Sequence, residues 1–312
     1  MRLTTEALSA ACLVVFSLFA VSTRAQQQQG SLQGQLHLTS RTADSLDKTA
    51  AQAAAQQKLK DEAAPNGQTS DCSYTFTSGT GDAYLQFCVT VNGNITEFQS
   101  PSGVEQIRQG AIGEGYGVCD ESTEIGYWDF ADDGASSNWN APVLVEQTKT
   151  MVKIERTTTD NLFTLTQTIS IVSGTPPYAK VEMQLKNNSA IFKNVFLMRW
   201  VDSDPDHGNT SGYSENLDST NDSAFAWVSY NSGSGNDPYG LMIQRDGNPS
   251  TTDYDSTGLA YEEASGPGTC SPGSGSGFGS PILNTDGSIA YIYAIGMSKE
   301  QTVGVTDRYV RF

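Results

Sequence analysis

The sequence has very little histidine and lacks the usual cysteine pairs of a zinc site. Only His37 and His207 occur in 312 residues, and no two cysteines have the CxxC spacing. A zinc centre built from histidine and paired cysteine is therefore disfavoured. A serine nucleophile needs a neighbouring base, which is commonly histidine, and the chain contains no GxSxG motif. The sequence thus argues against a serine hydrolase as well.

Positive charge is also scarce. The chain contains 18 lysine and arginine residues against 35 aspartate and glutamate residues, which gives a formal net charge of −17 at pH 7. Such an acidic surface repels nucleic acid and anionic lipid, so we predict neither as a partner. The same charge favours solubility and the binding of cations.

Long hydrophobic runs are absent except at the N-terminus. Residues 7–21 form one such run, Arg2 precedes it, and the small residues Thr23 and Ala25 follow it on either side of Arg24. This is the pattern of a secretory signal, and the run is shorter than the ~20 apolar residues of a membrane-spanning helix. We therefore predict a signal peptide over residues 1–25, no transmembrane segment in the mature chain, and a location that is extracellular or periplasmic.

The segment 26–70 has almost no aromatic residues and is rich in glutamine and alanine. A helix is compatible with residues 45–63, and the sequence Ala-Pro-Asn-Gly at 64–67 would end it. Its apolar face is too thin to bury much surface. The composition therefore predicts a short helical or disordered N-terminal tail.

Four cysteines follow the predicted signal, and an even number in an exported chain indicates two disulfides. The turn residues at 79–81 lie midway between Cys72 and Cys88. A symmetric hairpin would place these two cysteines opposite each other, which favours a Cys72–Cys88 bridge. Cys119 would then pair with Cys270 and join two distant parts of the chain.

The remaining chain, 71–312, has the pattern of β-strands. Residues 162–171 and 180–186 alternate between apolar and polar side chains, whereas 195–201 is apolar at nearly every position. These three segments predict an antiparallel meander whose last strand is buried on both faces. One further strand is predicted over 143–156. The count of roughly a dozen or more strands, without an internal repeat, predicts an all-β fold, a large antiparallel two-sheet sandwich.

Two pieces of the sequence carry a resemblance, GNITEFQSPSGVEQIRQGAIGEGYGVCD from residue 93 and VEMQLKNNSAIFKNVFLMRWVDSDPD from residue 181. Together with the closing strand, they resemble bacterial secreted proteins of uncharacterised function. The strand-rich plan is also similar to the supersandwich of galactose mutarotases and carbohydrate-active enzymes. Mutarotases use two histidines and a glutamate around the sugar ring. Only His207 is present in this domain, so the resemblance implies the fold and not epimerase chemistry.

An acidic loop follows the predicted buried strand. Asp202, Asp204 and Asp206 occupy alternate positions, which is the spacing that brings carboxylate oxygens around calcium. However, His207 stands where a calcium loop of the EF-hand type has glycine, and Tyr213 stands where it has glutamate. Calcium is the predicted cofactor if the loop binds one. A solvated acidic loop is the alternative, and these departures favour it.

The segment 114–139 interleaves carboxylates with aromatic rings, and both side-chain types are used to recognise sugars. Because glycoside hydrolysis needs only two suitably placed carboxyl groups, the candidate catalytic residues are Glu114, Asp129 and Asp202. The candidate ligand-binding residues are Tyr116, Tyr127, Trp128 and Trp139. The alternative, which we favour, is that these rings pack in the core beside surface acids.

Two residues in the apolar strand 195–201 are assigned to the interior. We expect Trp200 to lie in the core and Arg199 to pair with a buried acid. Taken together, the sequence predicts an exported β-sandwich domain that binds a carbohydrate or a cell-surface ligand. A carbohydrate-active enzyme of the glycoside hydrolase or lyase type is the second hypothesis, and a structural surface protein is the third.

Overall fold

In the computed structural model, the described residues are 72–107, 113–130, 135–205, 223–228, 239–261, 269–270, 272 and 287–312. The predicted signal peptide and tail lie outside them. The described residues form strands and turns, with one short 3-10 turn at Gly81–Ala83. The strands are β1 (Tyr74–Ser78), β2 (Leu85–Val89), β3 (Ile95–Gln99), β4 (Glu114–Asp120), β5 (Ile125–Phe130), β6 (Ala135–Ser137), β7 (Val143–Gln147), β8 (Met151–Thr157), β9 (Phe163–Val172), β10 (Tyr178–Asn187), β11 (Lys193–Asp202), β12 (Ser223–Val228), β13 (Tyr239–Arg245), β14 (Tyr254–Tyr261), β15 (Ser288–Met297) and β16 (Thr302–Arg311).

These strands build three antiparallel sheets. The largest has seven strands in the order β12-β13-β16-β10-β9-β8-β7, and the second has six in the order β14-β15-β11-β4-β5-β6. The inner faces of these two sheets pack against each other as a sandwich, and their buried side chains belong to one apolar core. The third sheet, β1-β2-β3, is small. The all-β sandwich predicted from the sequence is therefore confirmed.

The predicted three-strand meander is wrong in its last step. Strands β9 and β10 pair as expected, but the other neighbour of β10 is β16, and β11 lies in the six-stranded sheet between β15 and β4. The polar side chains of β10 at 180–186 lie on the partly or fully exposed face of the seven-stranded sheet. Beside β10, a strand that is apolar on both faces would expose one apolar face to solvent. In the six-stranded sheet, β11 is instead buried at nearly every position.

The single strand predicted over 143–156 is also wrong. A turn at 148–150 divides it into the hairpin β7–β8. Strand β7 is exposed at every position and forms one edge of the seven-stranded sheet, whereas β8 alternates between buried and half-buried residues. The polar run at 146–150 therefore marks the change from an edge strand to an interior one.

The small sheet contacts both large sheets through its turn between β2 and β3. Gly93 in this turn has φ of +93°. A Cβ atom at Gly93 would lie 2.6 Å from Nε2 of Gln167 in β9 of the seven-stranded sheet, while the Gly93 carbonyl accepts a hydrogen bond from Arg199 in β11 of the six-stranded sheet. Residues other than glycine rarely adopt this φ, and the space for a side chain is already occupied, so glycine is needed here for both reasons. We call residues 90–94 the inserted turn.

Both predicted disulfides are confirmed. Cys72 pairs with Cys88 at a Cα–Cα distance of 5.5 Å, and Cys119 pairs with Cys270 at 5.0 Å. The first hairpin is not symmetric, however, because Cys88 lies opposite Thr75 in the β1–β2 ladder. Among the described residues, no helix has the length and apolar character that crossing a bilayer would require.

Candidate functional site

A polar cluster lies between the two large sheets, within the apolar core. Glu114 is the first residue of β4, Arg199 lies in the middle of β11, and Tyr309 lies in β16 of the facing sheet. All three are fully buried. The Arg199 guanidinium forms an ion pair with the Glu114 carboxylate, and the Tyr309 hydroxyl donates a hydrogen bond of 2.7 Å to Glu114 Oε1. The backbone N–H of Ile95, next to the inserted turn, donates to Glu114 Oε2 at 2.8 Å.

Arg199 joins all three sheets. Its Nε donates to the Tyr309 hydroxyl at 3.1 Å, and its Nη1 donates to Gln167 Oε1 at 2.6 Å and to the carbonyl of Gly93 at 3.2 Å. The guanidinium also lies over two rings, with its carbon 5.6 Å from the centroid of Tyr116 and 5.8 Å from that of Tyr309. The expectation that Arg199 pairs with a buried acid is thus confirmed, and so is the core position of Trp200.

A second ion pair lies on the other side of the inserted turn. Asp129 in β5 pairs with Arg156 in β8, so this pair also joins the two large sheets. The amide of Asn92 donates to Asp129 Oδ2 at 3.2 Å, and the Asn92 carbonyl accepts from the Tyr116 hydroxyl at 2.9 Å. Arg156 Nη1 donates to the same hydroxyl at 3.0 Å. Each of the two arginine–carboxylate pairs therefore forms a hydrogen bond with the inserted turn.

Burial perturbs the acids of this cluster. It raises the pKa of Glu114 to about 7, although Arg199 and the hydrogen bonds from Ile95 and Tyr309 lower it in part. It raises the pKa of Asp307, two residues before Tyr309, to about 7 as well, with a hydrogen bond of 2.6 Å from the Tyr293 hydroxyl acting in the opposite direction. Burial also raises the pKa of Asp129 against the attraction of Arg156. Glu114 and Asp307 could therefore exchange protons near neutral pH.

The four predicted ligand-binding rings are all buried. Tyr116, Tyr127 and Trp139 belong to the core cluster, where Trp139 makes edge-to-face contacts with both tyrosines at centroid distances of 5.9 and 6.2 Å. Trp128 is on the opposite face of β5, stacked on Phe130 at 5.0 Å. The structure therefore brings three of the four rings together, but it packs each of them against protein.

The three predicted catalytic carboxylates are buried and do not converge. Glu114 and Asp129 belong to the cluster around the inserted turn, whereas Asp202 ends β11 with a side chain on the same face as Trp200. A general acid must contact its substrate. In this closed arrangement Glu114 and Asp129 contact arginine, tyrosine and asparagine side chains of the chain itself.

The predicted calcium loop falls only partly within the described residues. Asp202 is buried, Asp204 is half-buried, and Asp206 lies outside the described residues. Within the part of the chain that the structure describes, no group of three or more histidine, cysteine, aspartate or glutamate side chains is placed to hold a metal ion. Calcium binding stays a prediction.

Sequence reasoning missed several members of the cluster. Arg156, Gln167, Asp307 and Tyr309 stand at inward positions of alternating strands. The first three follow a buried apolar residue at i−2, and Tyr309 follows Asp307. A polar residue at an inward position is the signal that could have found them, because it must have a buried partner.

No family model matches the chain, and no curated protein is detectably similar in sequence. Solved structures are similar at low identity. A bacterial glucoamylase in complex with acarbose has 9% identity over 78% of this chain and 32% of its own, with a TM-score of 0.43. A heparan sulfate lyase mutant from Pedobacter heparinus has 10% identity over 78% of this chain and 36% of its own, with a TM-score of 0.39. The chain thus spans about a third of each of these proteins.

A putative aldose 1-epimerase from Escherichia coli K12 has 9% identity over 76% of this chain and 98% of its own, with a TM-score of 0.36. This match agrees loosely with the predicted similarity to the mutarotase supersandwich. At these identities and TM-scores, the likeness assigns neither an activity nor a site to this chain.

Proposed function

We propose that this chain is an exported, non-catalytic β-sandwich domain that binds a carbohydrate at its surface. The observation that carries the proposal is the burial of Glu114 and Asp129, each paired with an arginine of the core. A carboxylate that acts on a sugar must reach the glycosidic bond. These two instead hold the inserted turn between the sheets, so binding on the outside of the sandwich accounts for the geometry better than hydrolysis inside it.

Export is supported by the disulfides. The Cys119–Cys270 bridge has a sequence separation of 151 residues, and Thr269 beside it packs over Gly117 and Gly126 of the six-stranded sheet. Disulfides of this kind form and persist in oxidising compartments. The signal-like pattern of residues 1–25 is consistent with the same location.

The charge of the chain limits the class of ligand that it can bind. A net charge of −17 repels anionic polymers, which include nucleic acids and sulfated or uronic polysaccharides. Neutral glycans and amino sugars carry no such penalty. A neutral or basic glycan is therefore the ligand class that fits this surface.

A carbohydrate-active enzyme is the second candidate. Glu114 and Asp307 both have a pKa raised to about 7 by burial, and both accept a hydrogen bond from a tyrosine hydroxyl. If the inserted turn withdrew, the Glu114 carboxyl, which can exchange a proton near neutral pH, would face the space it leaves.

One pair of assays separates these functions. The full chain without residues 1–25 is applied to a glycan array and to a panel of chromogenic glycosides and polysaccharides. Binding without turnover supports the proposed domain. Turnover that is lost in Glu114→Gln but kept in the partly exposed control Glu182→Gln supports the enzyme. The proposal is overturned by such turnover, or by silence in both assays, which would favour a structural role.

A further inference from the structure

We propose a specific sugar-binding subsite on the outer face of the six-stranded sheet, formed by Phe192, Asn194 and Asp253 around Gly296. The inference rests on the proposed function and names the surface and the ligand class that would perform it. Its residues lie in loops and strand ends far from the buried arginine cluster in the fold, at the end of the sandwich where β10 is connected to β11.

The sheet brings the four residues to one face. Asn194 and Gly296 are directly opposite each other in the β11–β15 ladder, and side chains at opposed positions project from the same face. Asn194 is exposed. On the other side of β15, the N–H of Gly296 donates to the carbonyl of Asp253 at 3.0 Å, which places the residue before β14 beside Gly296.

Gly296 is buried beneath this surface, and its lack of a side chain lets two neighbouring side chains pack over it. A Cβ atom at this position would lie 3.0 Å from the Cζ atom of Phe192 and would overlap the carboxylate of Asp253. The ring and the carboxylate therefore approach each other across the space that a side chain would fill. Phe192 is nevertheless 53% exposed, and Asp253 is also exposed.

The loop that carries Phe192 is held in one conformation by the buried Asn187. The Asn187 amide donates to the carbonyls of Ile191 at 2.8 Å and Ser298 at 3.0 Å, and its Oδ1 accepts hydrogen bonds from both the N–H and the hydroxyl of Ser189. An exposed ring on a fixed loop loses little conformational entropy when it binds a ligand. The Phe192 ring is therefore already in position before a ligand binds.

The chemistry of this surface matches a neutral or basic sugar. A phenylalanine ring covers the C–H face of a pyranose, a carboxylate accepts hydrogen bonds from its hydroxyl groups, and an asparagine amide both donates and accepts. The carboxylate of Asp253, together with Asp255 two residues further along β14, disfavours anionic glycans. A glycan of neutral hexose or N-acetylhexosamine units is the expected ligand.

The test compares three variants with one control. Binding of maltohexaose, cellohexaose and chitohexaose is measured by calorimetry for the chain without residues 1–25 and for Phe192→Ala, Asp253→Asn and Gly296→Ala. The control is Phe312→Ala, which removes an aromatic side chain that is 41% exposed at the opposite end of the strands. Thermal unfolding of each variant verifies that the fold is kept.

We expect the wild-type chain to bind at least one of the three oligosaccharides. Phe192→Ala should weaken that binding about tenfold, which corresponds to about 1.4 kcal/mol, because it removes the ring that covers the sugar face. Asp253→Asn should weaken it severalfold, Gly296→Ala should weaken it because the added methyl displaces the ring and the carboxylate, and Phe312→Ala should leave it unchanged.

The outcomes separate failure of the subsite from failure of the proposed function. If the chain binds a glycan on the array but Phe192→Ala binds it as tightly as the wild type, the subsite is overturned and the proposed function stands. If no glycan binds, both fail. If Phe192→Ala changes only the elution volume in size-exclusion chromatography, the surface joins two copies of the chain and the subsite is likewise overturned.

Discussion

Replacement of Arg199 by methionine should destabilise the protein strongly. The substitution keeps a long side chain in the core but leaves the Glu114 carboxyl without its cationic partner and removes the hydrogen bonds to Gln167 and Gly93. Removing one member of a buried ion pair typically costs about 3–5 kcal/mol, because the other charge stays buried without compensation. For a domain of this size, such a loss corresponds to a fall of roughly 6–20 °C in melting temperature.

The free energy of unfolding is measured by urea denaturation at pH 8, where carboxyl groups are ionised when unfolded, with the disulfides intact. Lys180→Met is the matched control, because Lys180 forms an ion pair of 2.8 Å with Glu182 that is substantially exposed. Surface pairs contribute about 0–1 kcal/mol. We therefore expect the control to lose less than about 1 kcal/mol.

The double variant Arg199→Met, Glu114→Gln tests the mechanism. It removes the uncompensated acid, so it should recover part of the stability lost in the single variant. A loss of less than about 1 kcal/mol in Arg199→Met, or no recovery in the double variant, would refute the reasoning that this pair is a buried and coupled link between the sheets.

Two further predictions concern the interior. Gly93→Ala places a methyl group 2.6 Å from a side-chain nitrogen of Gln167 at φ of +93°, so it should cost about 1–3 kcal/mol or more in urea denaturation. Gly103→Ala, at φ of +81° with open space around it, should cost less, and equal losses would contradict the steric argument. Burial raises the pKa of Asp307 from 3.8 to about 7, so the folded state binds this proton more tightly than the unfolded state. The stabilisation that comes from this raised pKa is fully present below pH ~4 and is lost as the pH rises to about 7. Asp307→Asn should therefore show a flatter pH dependence of the urea midpoint between pH 4 and 7, and an unchanged slope would contradict the shift.

The local elements could be predicted from the sequence better than their partners. Alternation identified β9 and β10 because one face of each strand is exposed to solvent. The position of β11 could not be predicted, because alternation reports which faces are buried and not which strand lies alongside. The pair Cys72–Cys88 was found although the register was not, since a bridge tolerates a range of Cα distances.

The candidate site shows the same limit. Arg199 was expected to meet a buried acid, but Glu114 was assigned to catalysis, although the two are the members of one pair. Nothing local links residues 85 positions apart in the chain. The polar residues at inward positions, such as Gln167 and Asp307, were a signal that could have indicated a buried network, whereas its centre on Arg199 depends on how the sheets pack. That packing is a non-local property, and periodicity does not contain it.

The inserted turn separates the two candidate functions, because they make opposite demands on it. A binding domain needs a permanent link between the sheets, whereas an enzyme that uses Glu114 needs the turn to withdraw. The N–H of Ile95, bonded to Glu114 Oε2 at 2.8 Å, reports on this directly through hydrogen exchange. If the link is permanent, this amide should exchange only through global unfolding, with the same denaturant dependence as amides in the middle of β10. Exchange that is much faster than in β10 and insensitive to low urea would show that the turn opens locally. Such opening would favour catalysis in the interior over binding at the surface.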